Sequence, residues 1–259
     1  MQKTRVIISG CNGRMGQVIT RMCAETQDLE VVAGFDLNTE MRNGYPVYAD
    51  PMECGIKADV LIDFSNASML DVLLRYCIQN KLPAVICTTG HSAEQLQSLR
   101  DASAKVAMFR SGNMSLGINL LTNLLKKAAA VLGDGFDVEV IEAHHRTKVD
   151  APSGTAIMLA DAVKSGLPYE PEYVYERQSV RRQRSKQEIG ISSIRGGTIV
   201  GEHEVLFCGQ DEVISFRHTA YSREVFANGA VRAARFLAGV DKPGLYDMND
   251  VLSELLSKA

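Results

Sequence analysis

The most constraining stretch of the chain is its first turn. Thr4-Arg5-Val6-Ile7-Ile8-Ser9 is a short apolar run of strand type, Gln17 to Glu25 has helical composition, and Gly10-Cys11-Asn12-Gly13-Arg14-Met15-Gly16 lies between them. Glycines spaced in this way between a strand and a helix have a steric logic. The first permits a tight turn, the second lets a diphosphate approach the backbone, and the third lets helix and strand pack closely. The helix start then offers unpaired N–H groups to a phosphate. A lone fingerprint is weak, but a second strand, Leu29 to Asp36, ends in a carboxylate roughly 20 residues further on, where a ribose hydroxyl would be received. The turn residues Gly10, Cys11, Asn12, Gly13, Arg14 and Met15, with Asp36, are therefore candidates for binding a dinucleotide. Asp36 would repel a 2′-phosphate, and Leu37 and Asn38 after it carry no positive charge. That favours NADH, with NADPH possible through Arg42.

Further apolar bursts follow at Ala58–Ser65, Leu82–Gly90 and Lys105–Arg110, each succeeded by a helical stretch: Ala67–Gln79, Ala93–Ala104 and Leu116–Val131. Alternating strand and helix signals imply a Rossmann-type doubly wound parallel sheet, an α/β fold. Small polar residues at strand ends, as in Cys87-Thr88-Thr89, stand where such sheets bind ligands. Met41 to Lys57, with Gly44, Pro46, Pro51 and Gly55, reads as an irregular crossing. Phe64 reads equally well as core or as a cofactor neighbour.

From Asp137 the pattern changes and strand signals dominate. Phe136 to Ile141 alternates apolar and charged residues. Ile189–Arg195 and Thr198–Gly201 bracket Gly196-Gly197, a turn signal, and Glu204–Cys208 and Glu212–His218 follow. These make a second α+β domain with an open mixed or mostly antiparallel sheet. Val225–Gly239 and Asp250–Ser257 return to helix.

The chemistry concentrates in Glu142-Ala143-His144-His145-Arg146-Thr147-Lys148-Val149-Asp150-Ala151-Pro152-Ser153-Gly154-Thr155-Ala156, read as a loop between a strand and a helix. Ser153 or Thr155 can cap the helix, and its first N–H groups suit an anion. Gly154 lets a carboxylate come close to the backbone. The histidines can exchange protons near neutral pH, and Lys148 can donate to a developing anion. A dicarboxylate that is protonated during its reaction fits this loop. A solvated basic loop before a capped helix fits it too.

Composition narrows the classes. The 259 residues carry a net charge of −3, so no general attraction to nucleic acid or to an anionic membrane is expected. No apolar run approaches the roughly 20 residues of a membrane span, and no signal region opens the chain, so a cytoplasmic location is expected. Six cysteines without C-x-x-C spacing give no metal site. The arginines at 177, 181, 182 and 184 lack aromatic interleaving and read as a solvated strand or loop.

The segment from Glu142 to Ala156 strongly resembles the signature of the 4-hydroxy-tetrahydrodipicolinate reductase family, E-x-H-H-x-x-K-x-D-x-P-S-G-T-A, and matches it throughout. The resemblance implies NAD(P)H-dependent reduction of 4-hydroxy-2,3,4,5-tetrahydrodipicolinate in lysine and diaminopimelate biosynthesis. It implies His144 as acid/base and Lys148 as proton donor, with His145, Ser153, Gly154 and Thr155 on the substrate. It adds Cys87, Thr88 and Thr89 and the second loop, Ser111, Gly112, Asn113 and Met114, to the cofactor residues. Members often have a basic residue after the acid at position 36 and a Phe at position 114; here Leu37 and Met114 stand there. Residues 1–113, completed by 225–259, are expected to form the dinucleotide-binding domain, and 114–224 the substrate-binding and oligomerisation domain of a homotetramer. Rival readings are another two-domain NAD(P)-dependent dehydrogenase and a non-catalytic NADH-responsive protein. His91, His203 and His218 receive no role.

Overall fold

The computed structural model describes residues 3–258. The chain forms two compact units, one made of residues up to Met114 together with those from Glu224 onward, the other of Ser115–Arg223.

The first unit begins β1 (Thr4–Ser9), α1 (Arg14–Ala24), β2 (Leu29–Phe35), β3 (Val47–Tyr48), β4 (Val60–Asp63), α2 (Leu70–Asn80), β5 (Ala84–Ile86), α3 (Ala93–Ser103) and β6 (Ala107–Phe109). The second comprises α4 (Leu116–Leu132), β7 (Asp137–His144), α5 (Gly154–Lys164), β8 (Glu172–Val174), β9 (Glu188–Arg195), β10 (Gly201–Cys208) and β11 (Val213–Ala220). Then α6 (Glu224–Ala238), β12 (Gly244–Tyr246) and α7 (Met248–Ser257) complete the first.

In the first unit seven parallel strands run in the order β12-β6-β5-β4-β1-β2-β3. The winding reverses between β1 and β4, and ligands of such sheets bind outside the carboxyl ends of the strands at that reversal. The strands Val6–Ile8 and Val60–Ile62 are wholly buried, as a sheet covered on both faces requires. Helix starts follow local chemistry: Asn66 caps the 3-10 turn leading into α2, and Ser92 with Gln95 forms a capping box on α3. The stretch read as irregular, 41–57, holds β3 and a turn of 3-10 helix at Pro51–Glu53. β3 and β12 have two and three residues, too short to show a period, and take their places by pairing with β2 and β6.

The sheet of the second unit runs β11-β10-β7-β9-β8. β10 pairs antiparallel with β7 and β11, whereas β9 pairs parallel with β7 and β8. It is mixed, not mostly antiparallel. The Gly196-Gly197 turn does not close a hairpin. It carries the chain over the end of β7, where Gly196 N–H donates to the His144 carbonyl (3.0 Å) and Arg146 N–H to the Gly197 carbonyl (3.2 Å). The strands on either side of the turn thus flank β7 instead of each other, and β7 is buried on both edges. One sheet face, with Val138, Val140, Ile189, Ile191, Val205 and Phe207, packs on Leu121 and Leu125 of α4 and Leu159 and Val163 of α5. Each such fully buried side chain contributes about 1.5–3 kcal/mol.

Candidate functional site

The glycine-rich turn lies at the sheet reversal. Gly10 has φ +76°, and a Cβ on it would sit 2.5 Å from the Phe64 carbonyl oxygen, so the turn packs directly on the end of β4. A Cβ on Gly16 would collide with the Gly10 carbonyl and Cys11 backbone, so α1 starts tight against β1. The N-cap of α1, Gly13, offers no side-chain bond to the helix amides. Asp36 accepts from the Asn12 N–H (3.0 Å) and the Asn38 N–H (3.0 Å), and the Asn12 amide holds the carbonyls of Asn38 and Glu40. A cavity of about 240 Å³ opens here, lined among others by Gly10, Gly13, Asp36, Leu37, Phe64 and Ser65. The open helix start, the backbone without side chains in front of it and the carboxylate across the cavity fit a dinucleotide.

The other residues expected at the cofactor are placed as follows. Cys11 is buried with its side chain against Gly34, and burial pushes its thiol up to about 11, so only its backbone is available to a ligand. Arg14 is exposed and Met15 half-buried. Phe64 lines the cavity; Cys87, Thr88, Thr89 and Ser111 to Met114 do not. Burial raises the Cys87 thiol well above its ordinary range, which removes it as a nucleophile. Thr88 is buried and Thr89 exposed; Met114 is buried with its carbonyl against Gly229 of α6.

Within the second unit, the signature segment is not all loop. β7 continues through His144, so Glu142 and His144 fall in phase with Val138 and Val140 on the buried face. Glu142 is completely buried. Its Oε2 accepts from Arg195 Nη1 (2.8 Å) and faces His144 Nδ1 (2.6 Å); its Oε1 accepts from Arg195 Nη2 (2.6 Å) and the Ser153 N–H (3.1 Å). Burial alone would raise this carboxyl, but the bonds from Arg195, His144 and Ser193 outweigh it and hold the carboxyl down at about 2. An ionised carboxylate only accepts, so His144 donates from Nδ1 and its Nε2 is left to act. Gly201, on β10, keeps space beside that nitrogen: a Cβ there would lie 3.1 Å from it.

Ser153 is the N-cap of α5. Its Oγ accepts the Ala156 N–H (3.1 Å) and shares a hydrogen bond with His203 Nε2, 3.1 Å away. His203 packs edge-on against His144, ring centroids 5.1 Å apart. Burial, with a smaller contribution from His144, pushes His203 down to about 4, so it is neutral at pH 7. The neighbouring cap is built alike: Ser115 caps α4 and faces His218 Nε2 at 3.4 Å. With Ser153's N–H on Glu142 and Ala156's on Ser153, the exposed Gly154 amide makes no hydrogen bond among the described residues. A Cβ on Gly154 would meet nothing within 4 Å.

His145 shares a hydrogen bond with Thr147 (2.8 Å), and Lys148 Nζ pairs with Asp150 (2.8 Å). Arg195 Nη2 also donates to the Asp150 carbonyl (2.6 Å), tying the loop to the strand. Three of the four arginines in 177–184 are paired within the same unit: Arg177 and Arg184 with Glu139, and Arg177 and Arg182 with the buried Glu188. Among the described residues no group of His, Cys, Asp and Glu could hold a metal, and no helix is long and apolar enough to cross a membrane.

Glu142, Arg195, His203 and Gly201 gained no role from sequence. A glutamate in phase with buried valines was a signal, since a buried carboxylate needs partners. Its partner, 53 positions away, had none.

Comparison with known proteins agrees with both halves. The model for the N-terminus of dihydrodipicolinate reductase matches residues 4–114, and that for the C-terminus matches residues 117–252. The 4-hydroxy-tetrahydrodipicolinate reductase of Caldanaerobacter subterraneus subsp. tengcongensis is 52% identical over 250 residues, covering 96% of this chain and 98% of the relative. That of Clostridium perfringens is 47% identical with the same coverage. A dipicolinate-bound dihydrodipicolinate reductase from Paenisporosarcina sp. TG-14 superimposes with a TM-score of 0.76 at 27% identity, over 96% of this chain and 99% of that one. A Corynebacterium glutamicum DAP dehydrogenase, at 14% identity and a TM-score of 0.60, shares the fold.

Proposed function

The chain belongs to the dihydrodipicolinate reductase family, and from its two half-sites we propose how it works. It is an NAD(P)H-dependent oxidoreductase that reduces 4-hydroxy-tetrahydrodipicolinate to tetrahydrodipicolinate in lysine and diaminopimelate biosynthesis. The nicotinamide cofactor supplies the hydride. The β1–α1 turn receives its diphosphate, Asp36 its ribose hydroxyls, and Cys87–Thr89 with Ser111–Met114 its remaining length. NADH is preferred: Asp36 faces the ribose, Leu37 beside it is 85% exposed and uncharged, and Arg42 is paired with Glu40 at 2.8 Å.

On the substrate side, the Gly154 and Thr155 amides and the α5 dipole receive one carboxylate, with His145 at its side. Ser153 holds the helix start in place. His144 presents Nε2 as the acid/base, since Nδ1 is committed to Glu142. Lys148, held in the loop by Asp150, delivers the proton that the reduced, electron-rich intermediate takes up. The observation that carries this reading is the open amide of Gly154 two hydrogen bonds away from the His144 ring, through Ser153 and Glu142.

The outer face of the β7–β11 sheet leaves Ile194 and Val213 more than half exposed, which supports assembly of copies through this face into a homotetramer. The site of action is the cytoplasm. Oxidation of NADH that requires the dihydrodipicolinate-type substrate tests the function. Oxidation indifferent to that substrate, or NADH binding without turnover, would refute it.

A further inference from the structure

We infer that Glu142 is a positioning residue that sets the His144 ring and the substrate-binding end of α5 together, through one carboxylate. The inference rests on the roles given above to His144 and Gly154. Its two oxygens divide the work. Oε2 accepts from His144 Nδ1 at 2.6 Å and Oε1 accepts the Ser153 N–H at 3.1 Å, immediately before Gly154. Arg195 bridges both oxygens, at 2.8 and 2.6 Å, and fixes the plane of the carboxylate. The same guanidinium binds the Asp150 carbonyl, so the loop bearing Lys148 is drawn to the same anchor.

The geometry has two consequences. The neutral His144 ring is restricted to the tautomer with its proton on Nδ1, and turning the ring would leave Glu142 Oε2 with Arg195 Nη1 as its one donor among these residues. Any shift of Glu142 also moves the α5 N-cap, so proton transfer and carboxylate binding are lost in one step. His203 supports the arrangement from the other side: it is hydrogen-bonded to the Ser153 hydroxyl at 3.1 Å and packs edge-on against His144. Holding an imidazole by a buried carboxylate is a general device; behind metal-bound histidines such partners are worth about 10–100-fold in affinity or activity.

The test uses the full-length protein with 15N-labelled histidine. With only five histidines, the His144 signals are assigned by their loss in His144→Asn. In the wild-type ring-nitrogen spectrum the neutral His144 imidazole is expected to carry its proton on Nδ1. In Glu142→Gln the populations should move toward protonated Nε2. Its kcat should fall on the order of 100-fold, and the KM for the dicarboxylate should rise, while the KM for NADH stays within about twofold because that site lies in the other unit. A neutral wild-type His144 with its proton on Nε2 and none on Nδ1 overturns the inference, and needs no variant to fold. So does a folded Glu142→Gln with an unchanged spectrum and unchanged kcat. A His144→Asn enzyme with full kcat would instead defeat the acid/base assignment of His144 and leave the tautomer result standing.

Discussion

Replacing Gly154 by alanine separates binding from stability. The residue opens α5, is exposed, and an added Cβ would touch nothing within 4 Å. The fold therefore loses no packing, and alanine is the better helix former by up to about 1 kcal/mol in a helix interior. For a chain of this size 1 kcal/mol corresponds to roughly 2–4 °C, so the melting temperature should hold or rise by a few degrees. The new methyl group would occupy the space in front of an amide that has no hydrogen-bond partner among the described residues. Losing one hydrogen bond to a charged group costs about 1.5–3 kcal/mol, which is roughly 10- to 150-fold in affinity. Steady-state assays with saturating NADH should show the KM for the dicarboxylate raised by that factor, with the KM for NADH unchanged. Differential scanning calorimetry supplies the other half. An unchanged KM would refute the placing of a carboxylate at this helix start. A fall in melting temperature of more than about 5 °C would refute the claim that the position is open.

Three further outcomes follow from the same geometry. His144→Ala and Lys148→Ala should each lower kcat by on the order of 100- to 10,000-fold; near wild-type turnover in both would end the acid/base assignment. kcat/KM should be higher with NADH than with NADPH, and tenfold better use of NADPH would contradict the part given to Asp36 and Leu37. Stability should decline as pH falls, in two stages. His203 is held near 4 against its usual 6.5, so the unfolded chain binds that proton first. Its contribution is complete above 6.5 and lost toward 4, and His91 and His218, also lowered by burial, act in the same sense. Glu142, near 2 against its usual 4.5, adds stability that is complete above 4.5 and lost toward 2. Urea denaturation from pH 7.5 to 3 measures this; His203→Gln should flatten the first stage, and an identical profile would exclude His203 as its source.

The first unit was largely legible because its signals are local. Gly10, Gly13 and Gly16 constrain their own turn, and Asp36 directly follows a seven-residue strand whose apolar run is unbroken enough to read. The second unit was less so. Gly196 and Gly197 do turn the chain, but which strands then pair depends on β7, more than 50 positions earlier. The site divides in the same way. His144, His145, Lys148 and Ser153 to Thr155 stand in one contiguous motif. Arg195 and His203 reach it only by the register of β9 and β10 against β7, which no spacing in the sequence announces. Ser153 was one of two possible caps, and Thr155 lost because the hydroxyl that meets the Ala156 amide is the one preceding the helix.

The first unit is written in two pieces, with the whole of the second inserted between them. During synthesis the nascent seven-stranded sheet therefore emerges without its edge strand β12 and without α6, whose buried face runs from Ala227 to Leu237. The inserted unit, by contrast, has left the ribosome in full before Glu224 appears. Translation should thus yield a folded second unit while the first is still waiting for α6, β12 and α7. A chain ended at Arg223 and tethered to a stalled ribosome by a flexible linker long enough to clear the exit tunnel would carry a protease-resistant core that maps to residues 115–223 and not to the amino terminus.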